Sequence, residues 1–277
     1  MKTIVTHVSV DLDAITSCWL IKRFLPGWSK AEIKFVHAGK TLENKLPDAN
    51  QEIIHVDTGS GCLDHHQTNE YTCAAKKVYN HLLEKKVLDT RVIKPLERLV
   101  EYANCVDHFA EVFYQDATDD KYEFGLSQII EGLKATTKED SKITEITLSL
   151  LDAVLQLFKR KIKAEYDLEK GFIFTSKWGR SIALDTYNEE SLKLALKNGF
   201  KLAMRKDPEK KSIRIKTLPD KKLDLTPIYN KIKENDRTGD WYLHISKNML
   251  LNGSSKNPGL RPSSLSLQRL IEIIKEI

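Results

Sequence analysis

Short runs of β-branched and apolar residues, each followed by polar residues or glycine, open the chain. They lie at residues 4–10, 32–38 and 52–57, and a helix-like stretch from Ala14 to Phe24 separates the first two. Strands that alternate with helical segments are typical of βαβ units and therefore of a parallel sheet. We therefore predict an α/β fold that begins with a parallel, doubly wound sheet.

Helical periodicity dominates the next hundred residues. The spacing predicts helices over 72–88, 94–112, 126–133 and 143–163. Apolar residues of the last of these recur every three to four positions, which predicts a stripe buried against a neighbour. The polar stretch 114–124 is predicted to be a loop, and the role of the region 114–142, a lid or a spacer, stays open.

The pattern changes near Gly171. Strand-like runs at 172–175, 181–184, 201–205, 212–217 and 241–245 alternate with helical patterns that begin near residues 188, 227 and 265. A loop rich in Gly, Ser, Pro and basic residues occupies 251–262. We therefore predict two domains, a sheet domain over 1–165 and a smaller α/β domain over 166–277.

Composition agrees with an ordinary folded protein. Apolar residues make up 41% and charged residues 30% of the 277 residues, so disorder is not indicated. Apolar runs fall short of the roughly 20 residues that span a bilayer, and the N-terminus lacks the apolar region of a signal peptide. The four cysteines form no Cys-x-x-Cys pair. We therefore expect a cytoplasmic protein without a membrane partner.

Charge is distributed unequally along the chain. Residues 1–165 contain 22 basic and 25 acidic residues, whereas residues 166–277 contain 22 basic and 14 acidic residues. One interpretation is that lysine-rich faces only keep the protein soluble. The other is that an acidic half binds metal and a basic half binds a polyanion.

Acids and histidines follow the predicted strands. Asp11 and Asp13 alternate after the first strand, where an extended backbone would direct both side chains to one side, and Asp13 is the expected N-cap of the following helix. The full set consists of potential ligands without a thiolate: His7, Asp11, Asp13, Asp57, Asp64, His65, His66 and Asp107. Carboxylate and imidazole donors suit Mn²⁺, with Mg²⁺ or Co²⁺ possible. Their number favours two ions, a combination typical of phosphate ester or anhydride hydrolysis.

These motifs, within residues 1–110, resemble those of the DHH phosphoesterase superfamily, which includes RecJ-type exonucleases, oligoribonucleases and family II pyrophosphatases. The resemblance implies that His7, Asp11 and Asp57 bind one Mn²⁺. It implies that the second Mn²⁺ is bound by Asp13, Asp57, His65 and Asp107, with Asp57 bridging. By the same resemblance, His66 faces the substrate phosphate and Asp64 orients the site.

The C-terminal half resembles the associated substrate domain less well, because it lacks a Gly-Gly-Gly-His string. The nearest equivalent is the turn-rich loop of the basic half, in which backbone amides and two cationic side chains are suited to a phosphate. Its predicted substrate-binding residues are Asn252, Gly253, Ser254, Ser255, Lys256 and Arg261.

The prediction for function is a Mn²⁺-dependent phosphoesterase that cleaves short oligonucleotides or single-stranded nucleic acid ends in a cleft between the two halves. One alternative is a pyrophosphatase or a phosphohydrolase of small or cyclic nucleotides. Another, from a different class, is a nucleic-acid-binding module without catalysis.

Overall fold

The computed structural model describes residues 1–47, 49–253 and 259–277. Within this part the chain divides into two compact units, Met1–Lys159 and Arg160–Ile277. None of the helices described is long and apolar enough to cross a membrane.

A parallel sheet forms the centre of the first unit. Its strands are β1 (Thr3–His7), β2 (Glu32–Val36) and β3 (Ile53–His55), in the order β2-β1-β3. Thr3 of β1 lies opposite Glu32 of β2 and Ile53 of β3, so all the strands end at the same edge of the sheet. This arrangement brings the loops after β1 and β3 together.

Helices surround this sheet. They are α1 (Leu12–Phe24), α2 (Ala74–Glu84), α3 (Thr90–Asp107), α4 (Leu126–Thr136) and α5 (Asp140–Glu169), and α5 contributes residues to both units. Helix α1 is buried continuously from Leu12 to Ile21, because it packs between the sheet and the other helices. The fully buried Trp19 belongs to this core. The predicted loop 114–124 contains a short 3-10 helix, Asp120–Phe124.

The start of α3 differs from the prediction. The helix was predicted to begin at residue 94, next to Pro95, but it begins at Thr90, after an N-cap, Asp89, whose side chain accepts from the Arg91 amide. Proline has no amide hydrogen, so the helix lacks one internal hydrogen bond at Pro95. Because Asp89 caps it, the helix begins one turn earlier than it would if Pro95 lay at its first turn.

The second unit is built on a mixed sheet. Its order is β4-β5-β6-β7-β9-β8, with β5 and β6 parallel and the other pairs antiparallel. The strands are β4 (Phe172–Ser176), β5 (Gly179–Asp185), β6 (Leu202–Lys206), β7 (Ile213–Thr217), β8 (Trp241–Leu243) and β9 (Met249–Asn252). The helices are α6 (Glu189–Lys197), α7 (Thr226–Asn235) and α8 (Leu267–Lys275).

The predicted α/β fold class is confirmed by a parallel sheet and a second, mixed sheet, each with helices. Strand β9 was not predicted. Its residues Met249–Asn252 overlap the predicted loop 251–262, because a four-residue strand next to turn residues gives too short a pattern to recognise.

Candidate metal centre

The first two carboxylates lie where the loop after β1 enters α1, with Asp11 at the end of the loop and Asp13 in the first turn of the helix. Strand β1 ends at His7, and Asp11, not Asp13, is the N-cap of α1, where its Oδ1 accepts from the Ala14 amide at 2.9 Å. The prediction that Asp13 caps the helix is therefore wrong. Both carboxylates project from the first turn of a helix rather than from alternate positions of a strand.

Asp57 stands between two imidazoles. It follows β3 in a left-handed conformation, with φ of 55°, and its side chain is buried. Asp57 Oδ2 lies 3.2 Å from His7 Nε2, and Asp57 Oδ1 lies 3.3 Å from His65 Nε2. Asp and Asn adopt this conformation more readily than most residues. The backbone therefore presents one carboxylate to two histidines that are 58 positions apart in sequence.

Potential ligand atoms converge around Asp57. In each of three groups the ligand atoms lie within 4.8 Å of one another. The groups are His7, Asp11 and Asp57; then Asp57, His65 and His66; and then Asp13, His65 and Asp107. The structure thus brings together the residues that the sequence predicted as ligands, and their binding of metal stays a prediction.

Asp13 has a second set of contacts. Its Oδ2 accepts from the Ala74 amide and its Oδ1 accepts from the Ala75 amide, both at 2.7 Å, at the start of α2. A carboxylate oxygen has two lone pairs, so these bonds leave an acceptor site on each oxygen. Asp13 Oδ2 lies 3.8 Å from His65 Nε2. The same side chain therefore anchors α2 and borders the cluster.

A backbone carbonyl orients His7. His7 Nδ1 lies 2.9 Å from the Val8 carbonyl oxygen, which only accepts, so Nδ1 carries a hydrogen. In the neutral ring, Nε2 then has its lone pair directed at the cluster, as metal-binding histidines require.

The charges of the cluster perturb one another. Burial alone would lower the pKa of His7, but the bond to Asp57 and other acceptors raise this pKa to about 9. The interaction with Asp57 also raises the pKa of His65 to about 9. Burial would raise the pKa of Asp57, yet the imidazoles of His65 and His7 lower it to about 2.

The other carboxylates are destabilised as anions. Burial, and then the charge of Asp57, raises the pKa of Asp11 and of Asp13. Burial is also the largest cause that raises the pKa of Asp107. Such crowding of buried acids is relieved by a cation.

A divalent cation fits this set of residues. Asp57 Oδ1 and His65 Nε2 are buried and face each other at 3.3 Å, and neither atom makes a well-aligned hydrogen bond to the residues that the structure describes. Buried polar atoms seldom remain unpaired, and metal coordination is one way to satisfy them. The donors are carboxylate and imidazole, which suit Mn²⁺, Mg²⁺, Co²⁺ or Zn²⁺, so the geometry alone does not select the ion.

Asp64 holds His66 beside the cluster. Asp64 Oδ2 accepts from the Ser60 amide at 2.7 Å, and Asp64 Oδ1 lies 2.8 Å from His66 Nδ1. Burial would raise the pKa of Asp64, but the hydrogen bonds from His66 and Ser60 lower it. Asp64 is therefore an acceptor, so His66 Nδ1 donates and Nε2 lies at the outer edge of the ring. The His66 side chain is 63% exposed.

A cavity of about 300 Å³ opens on this part of the cluster. It is lined by His7, Asp11, Ala38, Gly39, Asp57, Ser60, Asp64 and His66. Its polar lining and its volume suit a small anionic group held next to a cation.

The sequence analysis missed Asp140. This residue begins α5, and its oxygens accept from the Ser9 amide at 2.9 Å and the Val10 amide at 3.2 Å. The loop that leads to Asp11 is thus fixed by a carboxylate about 130 residues away. In sequence it resembles the ordinary acidic residue of a helix start, so no local signal distinguishes it.

The profile of a known family, described as ChrB, C-terminal domain, matches residues 4–158. The chain belongs to this family. All the residues of the candidate metal centre lie within the matched range, and this ChrB-family profile differs from the DHH families that the motifs resemble. No curated protein matches the chain.

Solved structures give only weak likenesses to the ChrB-family chain. An uncharacterized protein from Helicobacter pylori is 13% identical with a TM-score of 0.30, over 100% of this chain and 99% of that one. RecJ from Thermus thermophilus, in complex with Mg²⁺, is 11% identical with a TM-score of 0.34, over 99% of this chain and 49% of that one. An exonuclease RecJ bound to manganese is 12% identical with a TM-score of 0.31, over 99% of this chain and 89% of that one. Likenesses this weak assign no activity to the ChrB-family chain.

The predicted substrate loop lies partly outside the described residues. Ser254, Ser255 and Lys256 belong to the stretch that is not described. Asn252 is fully buried in β9, where its amide donates to the Asp240 and Arg261 carbonyls at 3.0 Å. These bonds join Asn252 to neighbouring backbone segments and place it in a strand, not in the predicted loop, and its binding of substrate stays a prediction. Gly253 has a φ of 78°, and Arg261 pairs with Asp240 at 2.9 Å.

Proposed function

We propose that this chain is a metal-dependent phosphoesterase that hydrolyses phosphodiester bonds in short oligonucleotides or at single-stranded ends, with two divalent cations, preferably Mn²⁺. The observation that carries the proposal is the position of Asp57, whose two oxygens face different imidazoles in adjoining ligand groups. A carboxylate shared between neighbouring sites is the arrangement that a pair of cations requires.

The residues divide between two positions. One cation would be held by His7, Asp11 and Asp57, and the other by Asp13, Asp57, His65 and Asp107. When bound, two such ions supply positive charge for the phosphoryl oxygens and increase the acidity of water. The buried atoms Asp57 Oδ1 and His65 Nε2, which face each other without a well-aligned hydrogen bond, support this division.

The chain's own contribution to the reaction centres on His66. Its Nδ1 is tethered to the Asp64 carboxylate, and its exposed ring borders the 300 Å³ cavity. In the neutral ring, Nε2 can accept a proton from an attacking water, and when both ring nitrogens are protonated it can donate a hydrogen bond to a phosphoryl oxygen or a proton to a leaving alkoxide. Asp64, which is buried and held by the Ser60 amide, keeps the ring in that orientation.

The choice of substrate rests on charge and on the motifs. Residues 166–277 contain more basic than acidic residues, which favours a polyanionic substrate. The resemblance of His7-x-x-x-Asp11-x-Asp13 and Asp64-His65-His66 to DHH phosphoesterase motifs also supports a phosphate ester.

The size of the cavity favours a second candidate, hydrolysis of pyrophosphate or of a small nucleotide. About 300 Å³ is at the lower end of ligand pockets and accommodates a phosphate group without a long chain. Substrate preference therefore has to be measured across both classes.

The test is hydrolysis by the full chain after metal removal and reloading with Mn²⁺. The substrates are bis(p-nitrophenyl) phosphate, pyrophosphate, a cyclic dinucleotide, a dinucleotide and single-stranded DNA. We expect Mn²⁺-dependent turnover, highest on the dinucleotide or on single-stranded ends. Highest turnover on pyrophosphate would instead support the second candidate.

The matched variants are Asp57→Asn and Asp89→Asn. Asp57→Asn removes the shared charge and should lower kcat by at least about a hundredfold, since even residues behind the ligands contribute 10–100-fold. Asp89→Asn replaces an exposed helix cap with another good capping residue and should leave turnover unchanged. Full activity in Asp57→Asn, or no product from any substrate, would refute the proposal.

A further inference from the structure

The first unit contains a second cavity, of about 500 Å³, on the flank of α3. The end of α3 and the segment 109–128 form it, and Val106 and Phe109 line it on either side of the candidate ligand Asp107. This volume is within the range of small-molecule sites. One helix end therefore contributes to both the metal cluster and this cavity.

Aromatic rings form much of its wall. The rings of Tyr114 and Tyr122 lie 5.4 Å apart, and Tyr122 Oη donates to the Gln115 carbonyl at 2.8 Å. Phe109 and Phe124 also line the cavity, although these side chains are 67% and 84% exposed. Large exposed phenylalanines around a cavity mark a surface that contacts a ligand. A flat, stacking ligand suits such walls.

The cavity also contains an unsatisfied acceptor. Glu111 lines it, and Glu111 Oε2 is buried with no hydrogen-bond partner in the described part of the chain. A buried carboxylate oxygen is costly to leave unpaired, and Glu111 as a whole is only half-buried, so its carboxylate can turn towards a ligand whose N–H groups would satisfy it. Lys121 lies on the same wall, with its Nζ 5.0 Å from the centre of the Tyr122 ring and 3.2 Å from Asp119 Oδ2, and an ammonium group has three hydrogens, so it retains donors for a ligand.

We propose that this cavity binds the guanine base of a nucleotide, stacked on its aromatic wall with the N–H edge of the base on Glu111. Guanine presents adjacent N1–H and N2–H donors, which match the two oxygens of one carboxylate, and a carbonyl oxygen that suits an ammonium group. Adenine presents an unprotonated ring nitrogen at the same place, which a carboxylate repels. The identification of the ligand as a substrate rests on the proposed phosphoesterase function.

The test compares binding of GMP, IMP and AMP to the full chain in EDTA by isothermal titration calorimetry. Each of these nucleotides carries a single phosphate on the same sugar, so a difference in affinity between them is due to the base. We expect GMP to bind about ten- to a hundredfold more tightly than AMP, the discrimination typical of a bidentate pair. IMP lacks the N2 amino group and should lie between them.

The matched variants are Glu111→Gln and Glu97→Gln. Glutamine retains one acceptor oxygen and adds a donor, so Glu111→Gln should bind GMP no more tightly than AMP. Glu97 lies on α3 outside the cavity lining and is exposed, and Glu97→Gln makes the same charge change. It should preserve the preference for GMP. A thermal melt of each variant checks that it is folded.

Hydrolysis of bis(p-nitrophenyl) phosphate, which has no nucleobase, separates this inference from the proposed function. Equal affinity for GMP and AMP in a chain that hydrolyses this ester would overturn the guanine site and leave the phosphoesterase proposal intact. A preference for GMP that depends on Glu111, in a chain with no hydrolytic activity, would support the site and refute the phosphoesterase proposal. Loss of the GMP preference in both variants would also overturn the assignment to Glu111.

Discussion

Asp140 is the strongest test of how the candidate centre is held in place. Asp140→Ala removes the acceptor for the Ser9 and Val10 amides. A hydrogen bond to an ionised acceptor contributes about 1.5–3 kcal/mol to the free energy of unfolding when it is shielded from solvent. It contributes less where, as here, the bond is partly exposed. We therefore expect the free energy of unfolding to fall by about 2 kcal/mol.

The same substitution should also weaken cation binding at the candidate metal centre. Ser9 has a φ of 57°, a conformation that costs a non-glycine residue about 1 kcal/mol or more and persists only where neighbouring contacts enforce it. Without Asp140 the loop relaxes, and Asp11 at its end loses its fixed position. We expect Mn²⁺ affinity to fall about 10–100-fold, the effect of residues that support metal ligands.

The assay pairs urea unfolding of the metal-free chain with calorimetric titration of Mn²⁺, and Asp152→Ala is the control. Asp152 lies on the same helix and accepts from Trp19 Nε1 at 3.0 Å and from Arg23 Nε at 2.9 Å, away from the cluster. This variant should lose comparable stability and retain its Mn²⁺ affinity. Equal Mn²⁺ affinities in the two variants would refute the positioning role of Asp140.

The other predictions concern single sites. Asp13→Ala leaves two buried amides of α2 without an acceptor, so urea unfolding of the metal-free chain should show a loss of about 2–4 kcal/mol; a loss below about 1 kcal/mol would contradict this. In Gly171→Ala, the new Cβ would lie 2.6 Å from Ile182 Cδ1, and thermal unfolding should show about 1–3 kcal/mol of destabilisation. Gly132→Ala, in open space on α4, should instead stabilise by up to about 1 kcal/mol; the opposite order would reject the packing argument. Burial would raise the pKa of Asp236, but hydrogen bonds, including the one from Trp241 Nε1, lower it well below its usual range, so its contribution is present above about pH 4 and is lost as pH falls. Acid unfolding of Asp236→Asn should therefore depend less steeply on pH than that of the wild type, and identical slopes would contradict the assignment.

Periodicity was sufficient to predict the order of the main strands and helices. The runs at 4–10 and 32–38 form β1 and β2, and the apolar stretch between them is α1. These elements bury long continuous faces, so their patterns extend over many residues. The four-residue β9 has no such pattern and was missed for that reason.

The sequence predicted which residues form the candidate site better than it predicted how the backbone positions them. The acids and imidazoles near the strand ends were identifiable because parallel strands end at one edge of a sheet. The assignment of Asp13 as a helix cap was wrong, because β1 ends at His7 and the following loop turns at Ser9, which has a left-handed conformation. No short-range pattern reports such a turn at a non-glycine residue.

Contacts distant in sequence account for most of what was missed. Asp140 and Glu111 are ordinary acids in sequence, and only the fold shows that one fixes a loop and the other faces a cavity. Asn252 was expected at an open loop, whereas its amide joins backbone segments around β9. Side chains that bond to distant backbone groups leave no local pattern.

The double use of Asp13 has a consequence for how this domain can diverge. A relative in which the candidate metal centre is lost can replace His65 or Asp107 at little cost to its architecture, but Asp13 still binds the amides at the first turn of α2. Natural variants with a degenerate centre should therefore retain Asp13 after its partners have been replaced. Retention of this one acid is thus no sign that a relative retains the candidate metal centre, whereas joint retention of Asp13, His65 and Asp107 is.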